Sequence, residues 1–213
     1  MKLKEFVKQY GEKYSKKLAI DLEKEPFKWF LASILFGARI TEGIAIKTYN
    51  EFEKENIIKP EKIIKAGWDK LVEVLDRGGY VRYDFKTADK LLEVSNNIIK
   101  KYGKFENIQK EALDSKDLEE RLKALGKGVG DITVSIFLRE LRGIWPKADP
   151  ELRGLALDAL RNLGIRDAKE YCKRENINLV NLETALVRLG KNFCRKNKCK
   201  ECPVREECKK GSR

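Results

Sequence analysis

The stretch Leu122-Lys123-Ala124-Leu125-Gly126-Lys127-Gly128-Val129-Gly130-Asp131-Ile132-Thr133 decides how this chain is read. A helical pattern ends at Leu125, three glycines fall within the next five positions, and another helical pattern begins at once. Glycine reaches positive φ without steric cost and leaves its N–H open to an approaching anion. Such N–H groups, with the dipole of the helix that follows, are able to hold a phosphate without reading base sequence. A tight helix–helix turn with a glycine cap would look the same locally. The rest of the chain has to decide between the two.

Working outward, nearly everything reads as helix in short pieces separated by Gly, Pro or Asn. The stretch from Leu3 to Leu22 carries Phe6, Val7, Tyr10, Tyr14, Leu18 and Leu22 near a helical period. Pro26 suits the start of a helix that runs through Trp29, Phe30, Ile34 and Leu35 to Gly37. Further helices are expected at about 42–54, 60–66, 68–76, 87–101, 117–125, 131–142, 151–162, 167–174 and 179–190. Tyr80-Val81-Arg82-Tyr83 reads as a loop after Gly78-Gly79. The fold class is all-α.

The 213 residues carry a formal net charge of +12, which argues for a polyanionic partner. No stretch is long and apolar enough to span a bilayer, and no segment resembles an amphipathic membrane anchor, so nucleic acid is favoured. The N-terminus lacks a signal-peptide core, five cysteines are an odd number, and Cys172 stands apart; these features suggest a reducing cytoplasmic location. Abundant Lys, Ile and Glu with only two Gln hint at a thermophile. Histidine is absent, which removes histidine acid–base chemistry and histidine metal ligands.

Four cysteines close the chain as Cys194-x4-Cys199-x2-Cys202-x5-Cys208. Converging thiolates with a C-x2-C step form a metal site, and such sets hold either zinc or an iron–sulfur cluster. The setting is strongly basic. Between Lys191 and Arg213 nine Lys/Arg face three Asp/Glu, half the charge of the whole chain, with Lys196 and Lys198 inside the cysteine loop.

Between hairpin and cysteines lies Gly143-Ile144-Trp145-Pro146-Lys147-Ala148-Asp149-Pro150-Glu151-Leu152-Arg153. Asp149 precedes a proline that suits a first helical position, so it is expected to cap the next helix. A capping carboxylate at the mouth of a cleft is also able to act chemically.

The Gly128-Val129-Gly130 hairpin, an aspartate some twenty residues later and a terminal four-cysteine loop together resemble the helix-hairpin-helix DNA glycosylase superfamily, in its endonuclease III-like branch. The resemblance runs from about Phe27 to Cys208. It implies two lobes: a six-helix domain over about 26–143, with the helix-hairpin-helix at about 117–142, and a cluster-bearing helical domain formed by 1–25 and 144–213. It implies a [4Fe–4S] cluster on Cys194, Cys199, Cys202 and Cys208, and a double-stranded DNA partner whose damaged base is flipped out and released. Asp149 matches the catalytic aspartate. Lys127, Gly128, Val129 and Gly130 match the phosphate grip. Arg39 falls where relatives fill the gap left by the flipped base, and Tyr80 and Arg82 fall on a second loop that wedges the duplex. The expected protein is a monomer.

The chain departs from the family in ways that narrow the activity. Bifunctional members carry a lysine two residues after the last hairpin glycine, and its amine forms a Schiff base with the sugar. Here Ile132 stands there, which implies a monofunctional glycosylase without efficient AP-lyase activity. The adenine-removing branch needs a glutamate in the second helix, and the matching positions hold Ala32 and Ser33. Asp131 occupies a position that is often basic. The first cysteine gap is four residues where six is usual, so zinc stays open beside the cluster. The leading substrate is an alkylated purine, whose charge makes it a ready leaving group. The alternatives are a uracil or mismatched thymine, and a non-catalytic DNA-binding protein on the same scaffold.

Overall fold

The chain is helical throughout residues 1–209, the part that the computed structural model describes, and among these residues there is no strand. The helices are α1 (Leu3–Tyr10), α2 (Tyr14–Lys17), α3 (Pro26–Phe36), α4 (Glu42–Lys54), α5 (Pro60–Gly78), α6 (Asp84–Tyr102), α7 (Asn107–Glu111), α8 (Ser115–Lys123), α9 (Asp131–Glu140), α10 (Gly154–Asn162), α11 (Ala168–Glu175) and α12 (Leu179–Leu189). They belong to two compact units. One is Leu18–Pro150; the other joins Met1–Lys17 to the chain from Glu151 onward.

The larger unit is built around α3. Its proline sits at the first turn, where a missing N–H costs nothing. The helix is apolar on every side, and Phe27, Trp29, Phe30, Leu31, Ile34 and Leu35 are all buried. The indole N–H of Trp29 donates to the Phe137 carbonyl at 3.1 Å, tying α3 to α9. Phe30 and Trp145 meet Phe137 edge-on at ring distances of 5.0 and 5.3 Å. Thr41 caps α4 by accepting from the Ile44 N–H at 3.3 Å. Gly67 breaks helical geometry within α5, which agrees with the separate helices expected at 60–66 and 68–76.

The smaller unit brings the two ends of the chain together. Leu3, Phe6 and Val7 of α1 share a core with Ala156, Leu160, Leu182, Leu186, Leu189 and Val204. The Leu3 N–H donates to a Glu207 carboxylate oxygen at 2.9 Å. Arg188 lies over the Tyr14 ring at 4.5 Å and donates to the Glu12 carbonyl at 2.9 Å. Cys172, isolated in sequence, is buried in this same core.

Three expectations shift. The periodic stretch from Leu3 to Leu22 is not one helix: Gly11 closes α1 with its N–H on the Val7 carbonyl at 2.8 Å, and α2 is a separate turn. α7, too short to show a period, was not expected. The unit boundaries fall at 17/18 and 150/151, not near 25 and 143. Leu18, Ile20 and Leu22 are buried outside the smaller unit's core, and Trp145 binds residues 144–150 to the aromatic cluster of the larger one.

Candidate functional site

The hairpin is anchored by side chains and presents backbone. Leu122, Leu125 and Val129 are buried, and the Val129 N–H closes the turn on the Gly126 carbonyl at 3.1 Å. Gly128 has φ +85°, and a Cβ there would lie 3.0 Å from Cε of Lys90. Gly130 is the N-cap of α9 and has no side chain to cover the first N–H groups, with open space beside it. The first N–H groups of a helix have no intrahelical acceptor, so the hairpin offers donors outward. Val129 itself is only 4% exposed and its N–H is taken by the Gly126 carbonyl, so it anchors the turn, and the outward donors belong to its neighbours.

Charges around the hairpin are partly spoken for. The Lys127 side chain is exposed, but its N–H donates to a Glu93 carboxylate oxygen at 2.8 Å. Asp131 is exposed and sits 3.2 Å from Nζ of Lys123, so the acid beside the hairpin glycines is paired. Ile132 is 53% exposed, an apolar side chain on the surface in the first turn of α9.

Asp149 does not cap α10. Arg153 holds the N-cap position, and Asp149 and Pro150 lie in an extended segment before it. The reason is Arg142. Its side chain is 9% exposed; Nε lies 3.3 Å from Oδ1 of Asp149, and Nη2 donates to the Pro150 carbonyl. The Asp149 side chain remains 52% exposed. The turn is pinned further by Lys147, whose Nζ donates to the carbonyls of Gln109 and Ala112, and by Trp145, which meets the Phe105 ring at 5.9 Å. The result is a solvent-facing carboxylate on a nearly buried guanidinium, held by charge-assisted hydrogen bonding.

Arg39 is exposed between α3 and α4, and Arg82 is exposed over the Tyr83 ring at 5.5 Å. Tyr80 is a correction. It is 1% exposed, its hydroxyl donates to the Leu35 carbonyl at 3.4 Å, and burial pushes its pKa up to about 12. A side chain so placed does not reach DNA; the exposed apolar residue of that loop is Val81, at 62%. Ala32 and Ser33 are fully buried, and the Ser33 hydroxyl donates to the Trp29 carbonyl at 2.7 Å.

The cysteine loop begins where α12 widens into a π-helical turn, Gly190–Cys194. Two 3-10 turns, Cys199–Glu201 and Arg205–Glu207, carry the chain back, so that all four cysteines line one pocket with Phe193, Asn162 and Arg205. The cysteines are half-buried with no disulfide among them, and burial pushes the Cys202 thiol above its ordinary range, with the other three cysteines adding to the effect. Among the described residues no three Cys, Asp or Glu side chains converge on one point as a single metal ion would need. Lys196 and Lys198 are exposed, the latter 2.9 Å from Glu201. Lys210 and Arg213, part of the basic run, lie outside the described residues.

Arg142 was missed in the sequence. At the end of a helix a basic residue is ordinary, and only the folded turn shows what it holds.

No family model matches the sequence, and no curated protein matches it. Among solved structures, the chain is similar to the 3-methyladenine DNA glycosylase of H. pylori (MagIII) bound to 1,N6-ethenoadenine. The TM-score is 0.54 at 20% identity, over 92% of this chain and 99% of that one. The chain therefore shares the all-α fold of that structure. No described helix is long and apolar enough to cross a membrane.

Proposed function

We propose that this chain is a monofunctional DNA base-excision glycosylase that flips out a damaged base and hydrolyses its N-glycosidic bond, with alkylated purines as substrates. The observation that carries this reading is Asp149, an exposed carboxylate fixed on Arg142 in a fold shared with a glycosylase solved with a modified adenine. As the glycosidic bond breaks, its electron pair leaves with the base and positive charge builds on the sugar. A carboxylate beside the sugar stabilises that charge and takes a proton from the water whose oxygen bonds to C1′. The hairpin holds a backbone phosphate meanwhile, through N–H groups that read no sequence. Ile132 has no amine to form a Schiff base, so the product is an intact strand with an abasic site.

The test is base release from duplexes carrying methylated purine, 1,N6-ethenoadenine, uracil, a T·G mismatch, hypoxanthine and thymine glycol, each assayed before and after alkali. Release of alkylated purines with breaks only after alkali is expected. Release confined to uracil or T·G would move the substrate to deaminated pyrimidines. Binding without any release would make the chain a non-catalytic DNA-binding protein. Borohydride-trapped adducts would overturn the monofunctional assignment.

We further infer that Cys194, Cys199, Cys202 and Cys208 hold a [4Fe–4S] cluster, with a single zinc ion as the alternative. All four cysteines line one pocket, and four thiolates are a ligand set for such a cluster. When bound, the cluster would fix the basic loop; no step of base release runs through it. Iron and acid-labile sulfide with visible absorbance, all lost in Cys202→Ser, are expected. Stoichiometric zinc in a colourless protein would contradict this.

A further inference from the structure

Helix α6 braces the hairpin along one face. Asn97 donates its side-chain amide to the Leu125 carbonyl at 2.9 Å. Val94 lies so close to Gly126 that a Cβ there would come within 2.9 Å of its Cγ2. Glu93 accepts from the Lys127 N–H at 2.8 Å. Lys90 ends the series against Gly128, its Cε and Nζ 3.0 and 3.3 Å from where a Cβ would stand. Positions 90, 93, 94 and 97 follow the spacing of one helix face, and they meet hairpin residues 128, 127, 126 and 125 in reverse order.

Three members of this stripe hold the hairpin by hydrogen bonds or packing. The fourth packs its stem on Gly128 but also brings a charge. Lys90 is half-buried, and no ion pair or hydrogen bond to it is found among the described residues. Burial alone lowers its pKa, with no anion acting against it. Half-burying an unpaired ammonium costs stability, and a methylene stem without charge would pack on Gly128 as well. The charge is thus unexplained by the fold, and it lies on the residue whose φ and whose lack of a side chain bring the hairpin backbone closest to it.

We propose that Lys90 is a DNA-contacting residue that places its ammonium on the phosphate gripped by the Gly128–Gly130 backbone. The backbone dipoles of the hairpin thereby gain a full positive charge from the neighbouring helix. Glu93 is the complementary anchor: it occupies the Lys127 N–H as the Gly126 carbonyl occupies that of Val129, so the turn is fixed and the N–H groups of Gly128, Gly130 and the first turn of α9 are left to the ligand. This inference rests on reading the hairpin as a DNA contact, and it makes no use of the base-release chemistry.

The test uses the full chain and an undamaged, fluorescently labelled duplex, so that base recognition plays no part. Binding is measured from about 50 to about 200 mM salt for wild type, Lys90→Met and Lys90→Arg, with thermal melts of each. One phosphate contact contributes about 0.9 to the slope of log affinity against log salt. Lys90→Met is therefore expected to flatten the slope by about that amount, so that the affinity lost across this salt range shrinks about threefold. Its melting temperature should equal or exceed the wild type's, and Lys90→Arg should keep the wild-type slope. An unchanged slope in Lys90→Met overturns the proposal, as does a lowered melting temperature with unchanged affinity, which would make Lys90 a packing residue. No binding by the wild type would overturn the DNA reading itself, and the proposal with it.

Discussion

The hairpin and the Asp149 turn both present polar groups to solvent, but they do so by opposite means. The hairpin buries Leu122, Leu125 and Val129 and shows backbone. Its chemistry survives many side-chain changes and depends on glycine conformation. The Asp149 turn buries Trp145 and nearly buries Arg142 and shows one carboxylate. Its chemistry depends on a single atom group and on the cation beneath it. A backbone grip suits a ligand that repeats along a polymer, such as phosphate. A lone supported carboxylate suits a charge that develops at one atom. On this account the first region binds and the second cuts.

Substitutions can break the comparison one side at a time. The largest effect is expected for Asp149→Asn, which still accepts from Arg142 but carries no charge. Base release should fall by about 10²–10³, the usual cost of losing one preorganised electrostatic group, while undamaged-duplex affinity stays put. Arg142→Gln should lower release by about 10–100-fold through a mispositioned Asp149. An unchanged release rate would leave Arg142 as scaffold alone.

Gly128→Val attacks the other region. Its φ of +85° and the Lys90 contact at 3.0 Å both oppose a side chain, at a stability cost of about 1–2 kcal/mol. Affinity for every duplex should fall alike, with or without a lesion. The smallest effect belongs to Ile132→Ser. At 53% exposure it should change stability by no more than about 0.5 kcal/mol, and base release should not move. A large loss of release would show that Ile132 touches the substrate.

Much of the fold was legible because its signals are local. The glycine spacing, the proline that opens α3 and the cysteine ladder each sit within a few residues, and helix placement follows from periodicity. What depends on distant partners was not. Asp149-Pro150 reads as a helix cap until Arg142 is seen to claim both the carboxylate and the Pro150 carbonyl. Tyr80 beside Arg82 reads as a surface loop residue, yet the Leu35 carbonyl holds its hydroxyl in the core. The α6 stripe of 90, 93, 94 and 97 carries a charge of each sign, an amide and a valine, a mixture that no hydrophobic pattern picks out. The unit boundary near 150 was misplaced for a related reason: Trp145 packs on Phe105 and Phe137, far away in sequence.

The most direct test of this division is to measure duplex affinity and single-turnover release of an alkylated purine side by side, for Asp149→Asn and Gly128→Val. The account predicts that Asp149→Asn binds as wild type and does not release the base. Gly128→Val should bind weakly yet release at near wild-type rate once protein saturates the DNA. Release that persists in Asp149→Asn, or a Gly128→Val rate that stays low at saturation, would contradict it.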